Sequence, residues 1–390
     1  MTVLSHRSSW RVLALAGVLT ITLGLALASP TTAGSEKNLY QQHNLVSDGF
    51  VPAEHVDSHL VNPWGMASNA TSPFWVSDNG TGVTTLYDGT GQPFVPQGQS
   101  QPLVVTIPPP AGSTAPSTPT GQVFNEFNVT SPSDFTVASG RPSLFIFATE
   151  DGTISGWNPS VPALPSTTAI LVVDNSATGA VYKGLAIGST ASGNFLYAAN
   201  FHDGTIDVFD KNFAPASLAG SFSDPDIPDG FAPFNIQNLD GQLYVTYAKQ
   251  DADKRDDVAG KGNGFVTVFD TEGNFIRRIA SRHKLNSPWG LALAPGDFGR
   301  FSQNLLVGNF GNGRINAFNL KRRHPHFRGQ LRDSHGKRIT NDGLWALTFG
   351  NGQTAGPTNV LFFTAGIEEE QHGLFGSLKA YQKTQCTETP

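Results

Sequence analysis

Short apolar runs rich in Val, Ile, Phe and Tyr alternate along the chain with turns of Asn, Asp, Gly and Pro, and they recur in a fixed order. One copy reads Asn62-Pro63-Trp64-Gly65-Met66-Ala67, then Pro73 to Gly80, then Val83 to Tyr87. Far downstream another reads Ser287-Pro288-Trp289-Gly290-Leu291-Ala292, then Asn304 to Gly313, then Arg314 to Asn319. Between them, Tyr182 to Ile187 leads to Asn194–Asn200 and Gly204–Asp210, and Phe231 to Ile236 leads to Gln242–Tyr247 and, after an insertion, Gly264–Asp270. Weaker copies run through Asp134–Val137, Ser143–Thr149 and Gly152–Trp157, and through Gly343–Leu347, Val360–Ala365 and Gly373–Lys379. The apolar positions alternate with period two and show almost no helical spacing, so the runs read as strands. A unit of roughly 40 to 50 residues built from such strands buries both faces only when stacked between copies of itself. Six units predict an all-β fold, a six-bladed β-propeller. In each unit the run before the polar turn, such as Pro73 to Gly80, is expected to be innermost, so that its turn opens on the central channel. Trp64, Trp289 and Trp345 recur at unit starts and are expected to pack the blades together.

Composition supports the same fold. With 42 Gly, 26 Pro and only 14% charged residues, the chain is rich in turn-formers and poor in helix-formers. Its net charge of -6 supplies no global basic field, so nucleic acid is not an expected partner. Arg7 and Arg11 precede an uncharged apolar run from Val12 to Ala28 that ends in Ala26-Leu27-Ala28. That pattern predicts a signal peptide over residues 1–28, followed by a flexible spacer over 29–38. The run sits at the short limit for crossing a bilayer, so no stable membrane span is expected after cleavage. The single Cys386 lies in a polar tail over 384–390, which leaves no intrachain disulfide. The expected mature protein is a monomer, secreted or periplasmic, with one propeller domain over 39–383.

Three stretches depart from the repeat. Pro108 to Gly121 is a Pro/Ser/Thr segment without core-forming residues, expected to be an excursion whose deletion leaves stability unchanged. Lys249 to Gly264 is a charged, Gly-punctuated insertion. Lys321 to Arg338 carries seven Lys/Arg and three His, a basic patch on an acidic protein; it reads as a solvated outer strand and loop, or as a surface for an anionic glycan.

The Pro-Trp-Gly starts, the turn-plus-Val-Phe-Asp endings and the export signal resemble the NHL-type six-bladed propellers, and in particular an uncharacterised family of exported bacterial proteins. The resemblance spans nearly all of the expected mature chain, from Gln42–Asp48 to Asp342–Leu347. It implies the fold and brings no activity with it.

Function therefore rests on the channel mouth, where polar turns from different blades converge. Candidates there are Asp78 with Asn79, Glu150 with Asp151, Asn200 with His202 and Asp203, Asn309, and Glu368 to Glu370 with His372. Oxygen ligands such as Glu150, Asn200 and Asn309 could hold a calcium ion. The calcium-dependent lactonases and esterases of the six-bladed class are organised in this way, with His202 or His372 suited to a general base. Asn, Asp and Gly are also what tight turns demand whatever the function. No phosphate loop, zinc spacing or nucleophile elbow is present in the sequence. The leading expectation is a binding scaffold for a protein, glycan or envelope component, with a calcium-dependent hydrolase as the alternative.

Overall fold

The structure, a computed structural model, describes residues 39–321 and 324–381. Its strands form a six-bladed propeller. Blade 1 comprises Pro63–Ala67, Phe74–Asp78, Val83–Tyr87 and Val104–Thr106, from the axis outward. Blade 2 comprises Pro119–Phe124, Phe145–Thr149, Thr153–Trp157 and Ile170–Asp174, and blade 3 has Tyr182–Thr190, Gly193–Asn200 and Thr205–Phe209. Blade 4 runs Phe231–Leu239, Gln242–Lys249, Phe265–Phe269 and Phe275–Ser281; blade 5 runs Pro288–Leu293, Leu305–Asn309, Ile315–Asn319 and His326–Gln330. Blade 6 holds Leu344–Phe349, Val360–Ala365 and Leu374–Ala380, and its outer strand is the early segment Tyr40–Ser47, antiparallel to Leu374–Ala380. Pairing the first strand with the last blade joins the two ends of the ring through backbone hydrogen bonds.

Period-two alternation puts apolar side chains on both faces of each blade. In Phe145–Thr149, Phe145 and Phe147 pack toward blade 1, whereas Ile146 and Ala148 pack toward blade 3. Six such clusters fill the gaps between neighbouring blades, and a seventh, containing Trp64, Phe234, Trp289 and Trp345, joins inner strands of four blades. A cluster of that membership lies on the axis.

Each inner strand carries a bulge at the same place, between Pro63 and Met66, Pro119 and Gln122, Tyr182 and Gly184, Pro233 and Asn235, Pro288 and Leu291, and Leu344 and Leu347. A bulge increases local twist and re-aims the side chain within it. The re-aimed residues are Trp64, Thr120, Lys183, Phe234, Trp289 and Trp345. The Gly that follows several of them answers a close approach: a Cβ on Gly65 would sit 2.4 Å from the Thr120 carbonyl oxygen, and one on Gly121 would sit 2.4 Å from the Leu185 nitrogen.

The structure corrects three expectations. The Pro-Trp-Gly start is itself the innermost strand, and the run before the polar turn is the second; because the two are antiparallel, that turn still lies at the axial mouth where the inner strand begins. The inner strand of blade 2 is Pro119–Phe124, while Thr136–Val137 pairs with Arg141–Pro142 in a separate small hairpin. Residues 108–121 are thus no simple excursion, since they include half of an inner strand whose Pro-Thr-Gly start repeats the motif with a small polar residue in place of Trp. The three Trp residues pack the blades together as expected, and they do so in a cluster on the axis, because the bulge turns them inward. The expected signal peptide, its spacer and the polar tail fall outside the described residues.

Candidate functional site

The loops joining second to third strands cover one mouth of the channel, above the Trp plug. Trp64 and Trp345 stack with centroids 3.5 Å apart, and Trp289 meets both edge-on. Trp289 donates to the Lys183 carbonyl at 3.0 Å and Trp345 to Asn62 Oδ1 at 3.0 Å, so the plug is tied to the polar layer over it.

Lys183 is the centre of that layer. Its side chain is 2% exposed, with Nζ 2.5 Å from Glu150 Oε1, 3.1 Å from Asp256 Oδ1 and 5.1 Å from the Trp64 ring centroid. Asn79 donates to the other Glu150 oxygen at 2.9 Å; Asn62 donates to Asn79 at 3.2 Å and to Glu370 Oε2 at 2.6 Å. Residues from blades 1, 2, 3, 4 and 6 meet here, each delivered by an inner-strand start or by a loop. Asp256 comes from the Lys249–Gly264 insertion, which reaches back to the axis.

Burial would push the Glu150 carboxyl up, but the Lys183 ammonium and the Asn79 amide outweigh it and hold Glu150 below the usual range. Burial would likewise strip the Lys183 proton, and Glu150 and Asp256 keep the ammonium above its ordinary value. Glu370 has no cation of its own. Burial pushes its carboxyl up to about 7, with Asn62 opposing and the Glu150 charge adding to the rise. Asp257 is pushed up to about 6, again chiefly by burial.

A pH dependence follows from Glu370. Its unfolded value is about 4.3, so between about 4.3 and 7 the folded state binds more protons and stability falls as pH rises. Glu370→Gln keeps an acceptor for Asn62 and removes the charge. It is expected to be more stable than the parent at pH 8 by about 1–3 kcal/mol and indistinguishable from it near pH 4.5, as read by urea unfolding at the two pH values. Equal effects at both would show that Glu370 does not titrate in this window.

No protein-family model matches the chain. The uncharacterized proteins R648 and L690 of Acanthamoeba polyphaga mimivirus are each 34% identical to it over 344 residues, covering 86% of this chain and 78% and 84% of their own lengths. The chain belongs to the family of these proteins. Among solved structures, the soluble aldose sugar dehydrogenase of Escherichia coli in its apo-form aligns over 88% of this chain and 100% of its own, with a TM-score of 0.52 at 11% identity, which shows a shared fold alone.

In this member of the family the residues singled out in the sequence are distributed as follows. Glu150 is engaged by Lys183. Asn200 donates to Asp203 and Asp207, both at 3.0 Å, and Asn309 donates to the Lys284 carbonyl at 2.8 Å, each within its own blade or its entry loop. Asp78 is buried at the end of its strand and accepts from Thr85 at 2.8 Å; burial lifts its carboxyl well above the usual range. His202 pairs with Asp203 at 2.9 Å in an exposed turn. Glu368 lies in the same loop as Glu370, with left-handed backbone at Glu368, Glu369 and Glu370. His372 pairs with Asp48 at 2.6 Å and stacks on Phe50. Among the described residues no group of three or more His, Cys, Asp or Glu is placed to hold a metal ion.

Sequence reasoning passed over Lys183, Asn62, Asp256 and Asp257. A signal for Lys183 was available, because Tyr182-Lys183-Gly184 puts a charge where other copies place Trp or Phe.

The opposite mouth is different in kind. A cavity of ≈ 620 Å³ opens there below the plug. Its wall combines small residues such as Gly65, Gly121 and Ala346 with apolar ones such as Leu185 and Ile236, with amides at Gln237 and Asn238 and acids Glu126 and Asp240 at the rim. No Lys, Arg, His or Cys lines it. Gln122 and Asn238 brace this mouth: Gln122 donates to the Gly65 and Trp75 carbonyls at 2.8 Å, and Asn238 to the Ile187 carbonyl at 2.9 Å. Among the described residues no helix is long and apolar enough to cross a membrane.

Proposed function

We propose that the protein is a recognition module, exported through its N-terminal segment, that binds an uncharged polar group of a glycan, protein or envelope component in the ≈ 620 Å³ cavity. The observation that carries this reading is the contrast between the two mouths. At one, Lys183, Glu150, Asn79 and Asn62 bond to one another or to neighbouring carboxylates over a Trp plug. At the other, a cavity of ligand-binding size is preformed and braced between blades. Its lining offers hydrogen-bonding amides and carbonyls and no imidazole, thiol or amine. A hydrolase organised around Glu150, Asn200 and Asn309 is less well supported, because Lys183 already neutralises Glu150 and the Asn200 oxygen accepts from the Val181 and Asp203 amides.

The test is calorimetric titration of the protein with a panel of neutral mono- and oligosaccharides and short peptides, repeated on Ser68→Trp and Ser189→Trp, which fill the cavity mouth from blades 1 and 3. Binding to the parent and its loss in both variants, with melting temperatures retained, is the expected result. A ligand held equally well by the filled variants, or no binding across the panel, would overturn the reading.

A further inference from the structure

Away from both mouths, one surface is predominantly basic. Residues 275–284 and 321–338 together hold eleven Lys and Arg and one acid, Asp333. The chain has 25 Lys and Arg against 31 Asp and Glu, so these stretches carry a formal +10, which leaves -16 for the rest of a chain totalling -6.

The fold sets the two stretches side by side. Phe275–Ser281 is the outer strand of blade 4 and His326–Gln330 that of blade 5. Arg277 donates to the Leu320 carbonyl at 3.2 Å, and the Lys284 ammonium lies 6.0 Å from the Phe327 ring centroid. Arg282, Lys284 and Arg328 are exposed, and among the described residues no carboxylate pairs with any of them. Three large apolar side chains are exposed between these cations: Phe275 at 47%, Ile276 at 40% and Phe327 at 38%.

Charge on outer strands is a general defence against pairing with another chain. Lys is the residue that defence favours, whereas eight of the eleven cations here are Arg, on a chain that is acidic elsewhere. One cation here, Arg278, is neutralised by both oxygens of Asp224. The cations facing solvent are left uncompensated.

We propose that the outer strands of blades 4 and 5 form a docking surface for an anionic polysaccharide, with its sulfate or carboxylate groups on Arg282, Lys284 and Arg328 and the apolar faces of its sugar rings on Phe275 and Phe327. A flexible chain of moderate charge density can follow so narrow a strip. A stiff duplex would extend past it over the acidic remainder of the molecule, which repels it. This inference is independent of the axial cavity.

The test is titration of the full chain with a heparin oligosaccharide at about 50 and about 200 mM salt, with duplex DNA in parallel. Binding that weakens with salt is expected. Arg282→Gln/Lys284→Gln/Arg328→Gln should weaken it about tenfold or more at low salt and lower the logarithmic salt slope by about 3, while Lys211→Gln/Lys249→Gln, which removes exposed cations elsewhere, leaves it unchanged. Melting temperatures of both variants report that the fold is intact. Absence of heparin binding, or binding indifferent to the triple change, overturns the docking surface; tighter binding of duplex DNA than of heparin overturns its assignment to a polysaccharide.

Discussion

A chain lacking residues 108–121 is expected to show no cooperative unfolding transition, whereas one lacking only residues 111–116 should unfold within about 1 kcal/mol of the intact protein. The two deletions differ in what they take from the ring. Residues 111–116 are exposed, and their bonds to the rest of the chain are the Ala111 amide donating to Asp174 at 2.9 Å and the Ser113 amide donating to the adjacent Pro110 carbonyl at 3.0 Å. Residues 117–121 include Ser117, which donates to the Ile107 carbonyl at 2.7 Å, and Thr120, which donates to the Tyr182 carbonyl of blade 3 at 2.6 Å. They also include the first half of the inner strand Pro119–Phe124, which packs on the inner strands of both neighbours. Removing it leaves buried backbone groups of two blades without partners, at about 1–3 kcal/mol each, and interrupts a ring whose blades are stable only when flanked. Urea unfolding followed by circular dichroism decides the matter. A sigmoidal transition of ordinary steepness in the longer deletion would show that the ring closes without this strand.

Lys183→Met is expected to cost about 3–5 kcal/mol at neutral pH, because it leaves the Glu150 carboxylate buried without its cation. The pH dependence separates this cause from simple loss of packing. In the parent, Glu150 titrates below its unfolded value of about 4.3, so its pairing contributes stability above that value and loses it as pH falls through the lower folded value. In the variant burial acts unopposed by Lys183 and raises the Glu150 carboxyl, so stability is recovered as pH falls toward about 4.3. The difference between parent and variant should therefore shrink in acid. Lys183→Met/Glu150→Gln should regain most of the loss at pH 7, since the carboxylate left without its cation is then removed as well. A Lys183→Met protein within about 1 kcal/mol of the parent at pH 7 would mean that water reaches Glu150 and the layer is not sealed.

The seal and the cavity sit at opposite ends of one axis, and the same repeated bulge builds both. Within the bulges Trp64, Trp289 and Trp345 turn inward to form the plug, and the residues that follow the re-aimed positions, such as Gly65, Gly121 and Ala346, border the cavity. The position that closes one mouth is thus adjacent in sequence to the position that opens the other.

How far this was legible varies by residue. The six-unit count, the all-β class and most strands follow from spacing and alternation alone, because a strand buried on both faces between blades needs apolar side chains in every copy. Pro119–Phe124 escaped because an inner strand needs bulk only where it helps to fill the axis, and Thr120-Gly121-Gln122 contributes hydrogen bonds instead. Tyr40–Ser47 could be seen as a strand-like segment but not as the outer edge of the last blade, since ring closure pairs residues more than 300 positions apart, as Ser47 with Leu374. The candidate site divides in the same way. Which polar turns occupy the axial mouth could be read from their place in the repeat. That Glu150 meets Lys183 while Asn200 and Asn309 bond locally was decided by the tertiary structure, because it depends on side-chain reach across blades and on the Lys249–Gly264 loop folding back to the axis. Local pattern determined the strands, since burial on a pleated sheet is a property of each short segment; only the closed ring determined which charges neutralise one another, since that pairing exists only where five blades meet.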